Sequence, residues 1–138
     1  MIATLREPER QQRMRDNASA QHYKNNALPM ALRNLKILQD NGVKVAMGTD
    51  SGPATRFQGY FEHLEMSMMV EAGLTPMQVL QSATQVAADC LGLNYLGTLE
   101  PGKWADVLVL DRNPLEDIAN TRSLSQVWIA GNPVPPAP

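Results

Sequence analysis

Asp50 sits in the run Gly48-Thr49-Asp50-Ser51-Gly52, directly after the strand-like stretch Val43 to Met47. An aspartate at the carboxyl end of a buried parallel strand is where α/β barrels hold catalytic groups. The glycines on either side let the backbone turn sharply and leave room for a ligand or a metal. Asp-Ser-Gly is also an ordinary turn, and from these residues alone both readings stand. Glu62 and Glu65, three apart near one helical face, invite a carboxylate grouping with Asp50. The competing and heavier reading makes them a surface acid and a capping or supporting acid. Arg56, in the loop after Gly52, is placed to contact a substrate carboxylate, with a solvated loop arginine as the alternative.

The elements that would carry these groups follow from periodicity. Residues 4–24 are polar and mixed in charge, either a solvated helix or a frayed segment. Leu28, Ala31, Leu32, Leu35 and Leu38 recur at helical spacing, predicting a helix near 27–41 that Asn41-Gly42 stops. A strand is predicted near 43–48. A helix near 60–72 presents Phe61, Leu64, Met68 and Ala72 as its apolar stripe, and Gly73 ends it. Thr75-Pro76 with Gln78 has capping-box spacing and opens a helix near 76–91, burying Val79, Leu80, Ala83, Val86, Ala87 and Cys90. Beyond Leu96 the pattern turns to β, with strands near 105–110 and 126–130 and an extended, Pro-rich tail at 133–138. The methionines on these helices read as fillers of core gaps.

Composition excludes several classes. The chain has 138 residues, 43% hydrophobic, with net charge −2, which is enough for one packed core and no electrostatic footprint for nucleic acid or an anionic membrane. Cys90 is the only cysteine, so no intrachain disulfide or cysteine zinc cage forms, and it reads as a small core residue. No apolar run is long enough to span a bilayer, and residues 1–24 lack a signal-peptide core, which makes a cytoplasmic location the expectation.

Four stretches, taken in order, resemble the carboxyl-terminal third of the amidohydrolase superfamily, particularly its imidazolonepropionase-like and prolidase-like members. They are Gly42-Val43-Lys44-Val45-Ala46-Met47-Gly48-Thr49-Asp50, His63-Leu64-Glu65, Ala72 to Leu80 and Leu96 to Asp111. The resemblance implies an α/β fold in which residues 27–95 are the last βα portion of a metal-dependent (β/α)8 barrel. Residues 96–132 would be strands of the small β-sandwich domain, flanked by the polar segment 1–26 and the tail 133–138. It implies hydrolysis of amide, ester or other C–N bonds of a small-molecule substrate by metal-activated water. Asp50 would be metal ligand and proton shuttle. The metal would be a divalent ion, zinc foremost, although one hard oxygen donor suits zinc, manganese or iron alike.

The departures from the family pattern matter as much. The chain has two histidines, His22 and His63, and no His-x-His pair. His22 reads as solvent-exposed, and His63 falls on the helix after the strand, a packing or hydrogen-bonding position. One carboxylate holds a divalent ion weakly, so no metal is expected to stay tightly bound to the isolated chain, which is expected to be inactive. The chain thus resembles the end of a longer hydrolase. The alternative is a non-catalytic module or gene remnant that associates with itself or with a complementing fragment, since a lone barrel strand leaves open edges.

Overall fold

The computed structural model describes residues 7–52 and 57–135. The polar amino-terminal segment is helical there, as α1 (Pro8–Arg15) and α2 (Ala18–His22), neither with a buried residue. A π-helical turn, Tyr23–Ala27, leads into α3 (Leu28–Asp40). Then come α4 (Phe61–Glu71), α5 (Pro76–Ala83) and α6 (Gln85–Cys90). A three-stranded antiparallel sheet follows, β1 (Val107–Leu110), β2 (Leu124–Ile129) and β3 (Asn132–Pro133), in the order β1-β2-β3. A 3-10 helix, Ile118–Arg122, lies between β1 and β2.

Helices α3, α4 and α6 end in the same way. After α3, Gly42 at φ +74 lets its own N–H reach Gln39 O at 3.1 Å and the Val43 N–H reach Leu38 O at 3.0 Å. This paired closure satisfies the orphaned carbonyls of the last turn and needs a left-handed residue, which glycine adopts without a Cβ penalty. Gly73 after α4 and Gly92 after α6 repeat it, with Leu74 N–H on Met69 O and Leu93 N–H on Ala88 O. At the start of α5, Thr75 and Gln78 form the expected reciprocal capping box.

The structure corrects several expectations. Val43 to Met47 is not a strand among the described residues. The segment is held by Ser82 on α5, whose hydroxyl donates to Val45 O at 2.6 Å and whose carbonyl accepts from Met47 N–H at 3.2 Å. A strand needs a ladder partner, and no described residue pairs with this stretch. The single helix expected over 76–91 breaks at Thr84, with φ −125 and ψ −87, where the threonine hydroxyl bonds back to Leu80 O. Cys90 is exposed rather than core, because that break turns α6 so that Ala88 is its buried residue. In the second hairpin, Ala130 at φ 49 and Gly131 at φ 78 form a turn with two left-handed residues. Strand β2 therefore ends at Ile129.

The core is small. Met66, Met69, Leu74, Val79 and Ile118 are buried together, with Leu35, Met47, Val70 and Leu80 packed around them. It joins α3, the 43–47 segment, α4, α5 and the 3-10 helix. On α4 the deepest residues are Met66 and Met69, whereas Phe61, Leu64, Met68 and Ala72 are half-buried, so the stripe is rotated from the expected one. Val79 is fully enclosed at 0% exposure. Val79→Ala is expected to cost roughly 2 kcal/mol through lost burial and a residual cavity, read as a lowered urea midpoint at unchanged slope.

Candidate functional site

Asp50 ends the extended segment that Ser82 fixes to α5, and its own backbone is left-handed at φ 52. Left-handed geometry is tolerated by aspartate better than by most side chains. It turns the chain sharply, and the Asp50 side chain is exposed. The two flanking hydroxyls fasten the turn. Thr49 Oγ1 lies 2.6 Å from Ser51 Oγ and accepts from the Ser51 N–H at 3.2 Å.

Glu62, on the first turn of α4, meets the same turn. Its Oε1 accepts from Thr49 Oγ1 at 3.2 Å and its Oε2 accepts from the Gly59 N–H at 2.7 Å. Its own backbone N–H and the Ser51 hydroxyl, with the Gly59 and Thr49 donors, hold this carboxyl below the usual glutamate range. One turn further on, Glu65 is half-buried; burial, and the nearby Glu62 charge, push its carboxyl up, against a smaller pull from the Gly48 backbone. The two glutamates three apart thus titrate in opposite directions. Glu62 is the anion that ties the turn, and Glu65 is the acid beside Gly48 at the end of the extended segment.

His63 points the other way. Its Nδ1 is 2.9 Å from Thr121 Oγ1, and that hydroxyl donates its only proton to Ile118 O at 2.8 Å. The threonine must then accept, which assigns the imidazole proton to Nδ1. His63 therefore clips α4 to the 3-10 helix, beside Arg122, whose guanidinium lies 5.6 Å from the Tyr60 ring centre. Burial first, and the Arg122 charge second, hold the His63 pKa below its ordinary 6.5, with Glu62 opposing. A folded pKa below the unfolded value means that the native state binds fewer protons. The His63 contribution to stability is then intact above about pH 6.5 and is lost as pH falls below it toward the depressed folded value. Melting temperatures from pH 7.5 to 5.5 should decline more steeply for the wild type than for His63→Gln; parallel curves would refute this.

Asp50, Glu62 and Glu65 are thus gathered at one end of the α4 and 43–47 pair, whereas His63 faces away from that end. Arg56 lies outside the described residues, and His22 is exposed on α2. The hydroxyls of Thr49, Ser51 and Thr121 were not anticipated. The Thr-x-Ser spacing around Asp50 was a usable signal for the first two; Thr121 is 58 residues from its partner and gave none. No group of three His, Cys, Asp or Glu side chains among the described residues is placed to hold a metal ion. Asp50 offers one hard oxygen donor, and further donors for a divalent ion would have to come from elsewhere. No helix among the described residues is long and apolar enough to cross a membrane.

Comparison with known proteins shows what the chain as a whole is similar to. The model of the amidohydrolase family matches residues 8–134. The imidazolonepropionase of Deinococcus deserti is 39% identical over 101 residues, which cover 70% of this chain and 25% of that protein. A crystal structure of a Xaa-Pro dipeptidase with methionine bound in its active site superposes with TM-score 0.70 at 34% identity, over 77% of this chain and 26% of that one. Phenylurea hydrolase B superposes with TM-score 0.75 at 26% identity, over 93% of this chain and 31% of that one. The chain spans a quarter to a third of the length of these relatives.

Proposed function

This chain belongs to the amidohydrolase family, and on that premise we propose that it is the carboxyl-terminal portion of a metal-dependent hydrolase acting on amide or other C–N bonds. Residues 27–95 form the end of the catalytic barrel in this reading, and residues 96–132 contribute strands to the smaller sandwich domain. The observation that carries it is the placement of Asp50. The carboxylate stands exposed on a fastened turn at the end of an extended segment that α5 supports through Ser82.

A divalent metal, zinc foremost, would supply a water of lowered pKa, toward ~7, once the remaining donors are present. Asp50 is the oxygen donor this chain brings to that ion. Its further task is to take a proton from the attacking water and return it to the leaving group. Arg56 is the candidate for holding a substrate carboxylate. Without the other donors the isolated chain is expected to be inactive and to lose divalent ions on dialysis.

Association belongs to the same reading. The chain exposes 10059 Å², whereas a compact monomer of its 15.2 kDa mass would expose roughly 7,100 Å². Ile37 on α3 and Val43 at the start of the extended segment stand about half exposed, at 57% and 46%. Light scattering at micromolar concentration should therefore give a mass above that of one chain; a sharp monomer with cooperative unfolding would contradict this. The functional reading is tested in the coding DNA upstream of Met1. An in-frame His-x-His pair supports a hydrolase split from its metal-binding strands. Its absence, with a 138-residue species in cells, favours a non-catalytic module.

A further inference from the structure

We propose that Glu62 is a positioning residue that sets the conformation of the Asp50 turn by closing a ring of hydrogen bonds around it. This assignment rests on the reading of Asp50 as the reactive carboxylate and adds the side chain that aims it.

The ring is built from four residues. Thr49 Oγ1 has one proton to give and two lone pairs to fill. It accepts from the Ser51 N–H at 3.2 Å and lies 2.6 Å from Ser51 Oγ, and its contact with Glu62 Oε1 is 3.2 Å. A carboxylate only accepts, so one of the two hydroxyl protons of Thr49 and Ser51 goes to Glu62 and the other joins the two hydroxyls. The second carboxylate oxygen takes the Gly59 N–H at 2.7 Å, three residues earlier and just before α4. Asp50 sits between the two hydroxyl residues with φ 52, a conformation that an aspartate visits but does not hold unaided. Cutting the ring at Glu62 removes the carboxylate partner of Thr49 and the acceptor of the Gly59 N–H together.

Glutamine at position 62 keeps the length of the side chain but replaces one accepting oxygen with a donor, so it can accept from Gly59 but meets Thr49 only as a neutral donor, with the hydroxyl bonding of Thr49 and Ser51 reversed. Alanine serves neither. Core packing does not depend on this side chain, because the buried residues of α4 are Met66 and Met69.

The test uses the full 138-residue chain and needs no substrate. Amide hydrogen exchange is followed at Ser51, Gly59 and Val79 in wild type, Glu62→Gln and Glu62→Ala, together with the Asp50 Cα and Cβ chemical shifts. Protection at Ser51 and Gly59 should fall about tenfold in Glu62→Ala, as for loss of bonds to a charged acceptor, and less in Glu62→Gln. The Asp50 shifts should move away from left-handed values while Val79 exchange stays at the wild-type rate. Unchanged loop protection and Asp50 shifts in both variants overturn the proposal. So does an equal loss at Val79 in both variants, which would mark Glu62 as a general stabiliser. The outcome is independent of the role of Asp50, because a rigid ring around an Asp50 that proves dispensable for turnover would sink the functional reading alone.

Discussion

Asp50→Asn, made in the complete hydrolase or in this chain assembled with a complementing fragment, is expected to lower turnover about 10²–10⁴-fold. The substitution keeps the size of the side chain and removes its charge and its basic oxygen. A proton shuttle has to gain a proton in one step and lose it in the next, and a neutral amide does neither at ordinary pH. Weaker metal binding would add to the loss, so the assay is run with metal in excess. Folding should be spared, since Asp50 is exposed and belongs neither to the core nor to the residues packed against it. Asparagine is also as tolerant as aspartate of the left-handed backbone at φ 52. The expected signature is therefore lost turnover at an unchanged melting temperature. His63→Ala should do the reverse, lowering the melting temperature through the broken contact with Thr121 and altering rate only modestly. If Asp50→Asn turns over at near the wild-type rate, the catalytic assignment fails.

What the sequence made legible, and what it did not, divides along the range of the forces involved. Helix ends were readable because the signal is local. Gly42, Gly73 and Gly92 each supply the left-handed residue that closes the preceding helix, and Thr75 with Gln78 caps the next. The phase of α4 was not readable. Phe61, Leu64, Met66, Met68, Met69 and Val70 place apolar groups around most of its circumference, so periodicity could not say which face Leu74, Val79 and Ile118 would cover. Residues 43–48 are extended without forming the expected strand, because a strand is a property of a pair and the apolar run fixes only one member. Cys90 went wrong through a break at Thr84 that its own neighbours do not announce. At the site, the position of Asp50 was visible as a turn after an apolar run. The role of Glu62 was not, because it depends on Thr49, 13 residues away in sequence, coming within 3.2 Å of the carboxylate.

Gly97→Ala is expected to destabilise the chain by about 2–4 kcal/mol, combining a left-handed backbone penalty with overpacking. Leu96-Gly97-Thr98 reads in sequence as the end of the helical region, and nothing there distinguishes Gly97 from an ordinary turn glycine. The structure does. Gly97 has φ +86, and a methyl group on it would lie 2.8 Å from Ala88 Cβ, 3.0 Å from Gln85 Cα and 3.0 Å from Thr84 O. Two of these three atoms are backbone and have no rotamer with which to move aside. They belong to the break between α5 and α6, against which the backbone packs closely at Gly97. Relieving the clash would push α6 away and loosen Ala88, its one buried residue. Gly92→Ala is the control, because its φ is +70 but nothing lies within 4 Å of the added methyl. That substitution carries the conformational penalty alone, about 1 kcal/mol. Urea unfolding of the two variants separates crowding from backbone strain. Gly97→Ala should unfold at clearly lower denaturant than Gly92→Ala, and equal midpoints would show that the chain at Gly97 shifts freely enough to accept the methyl group.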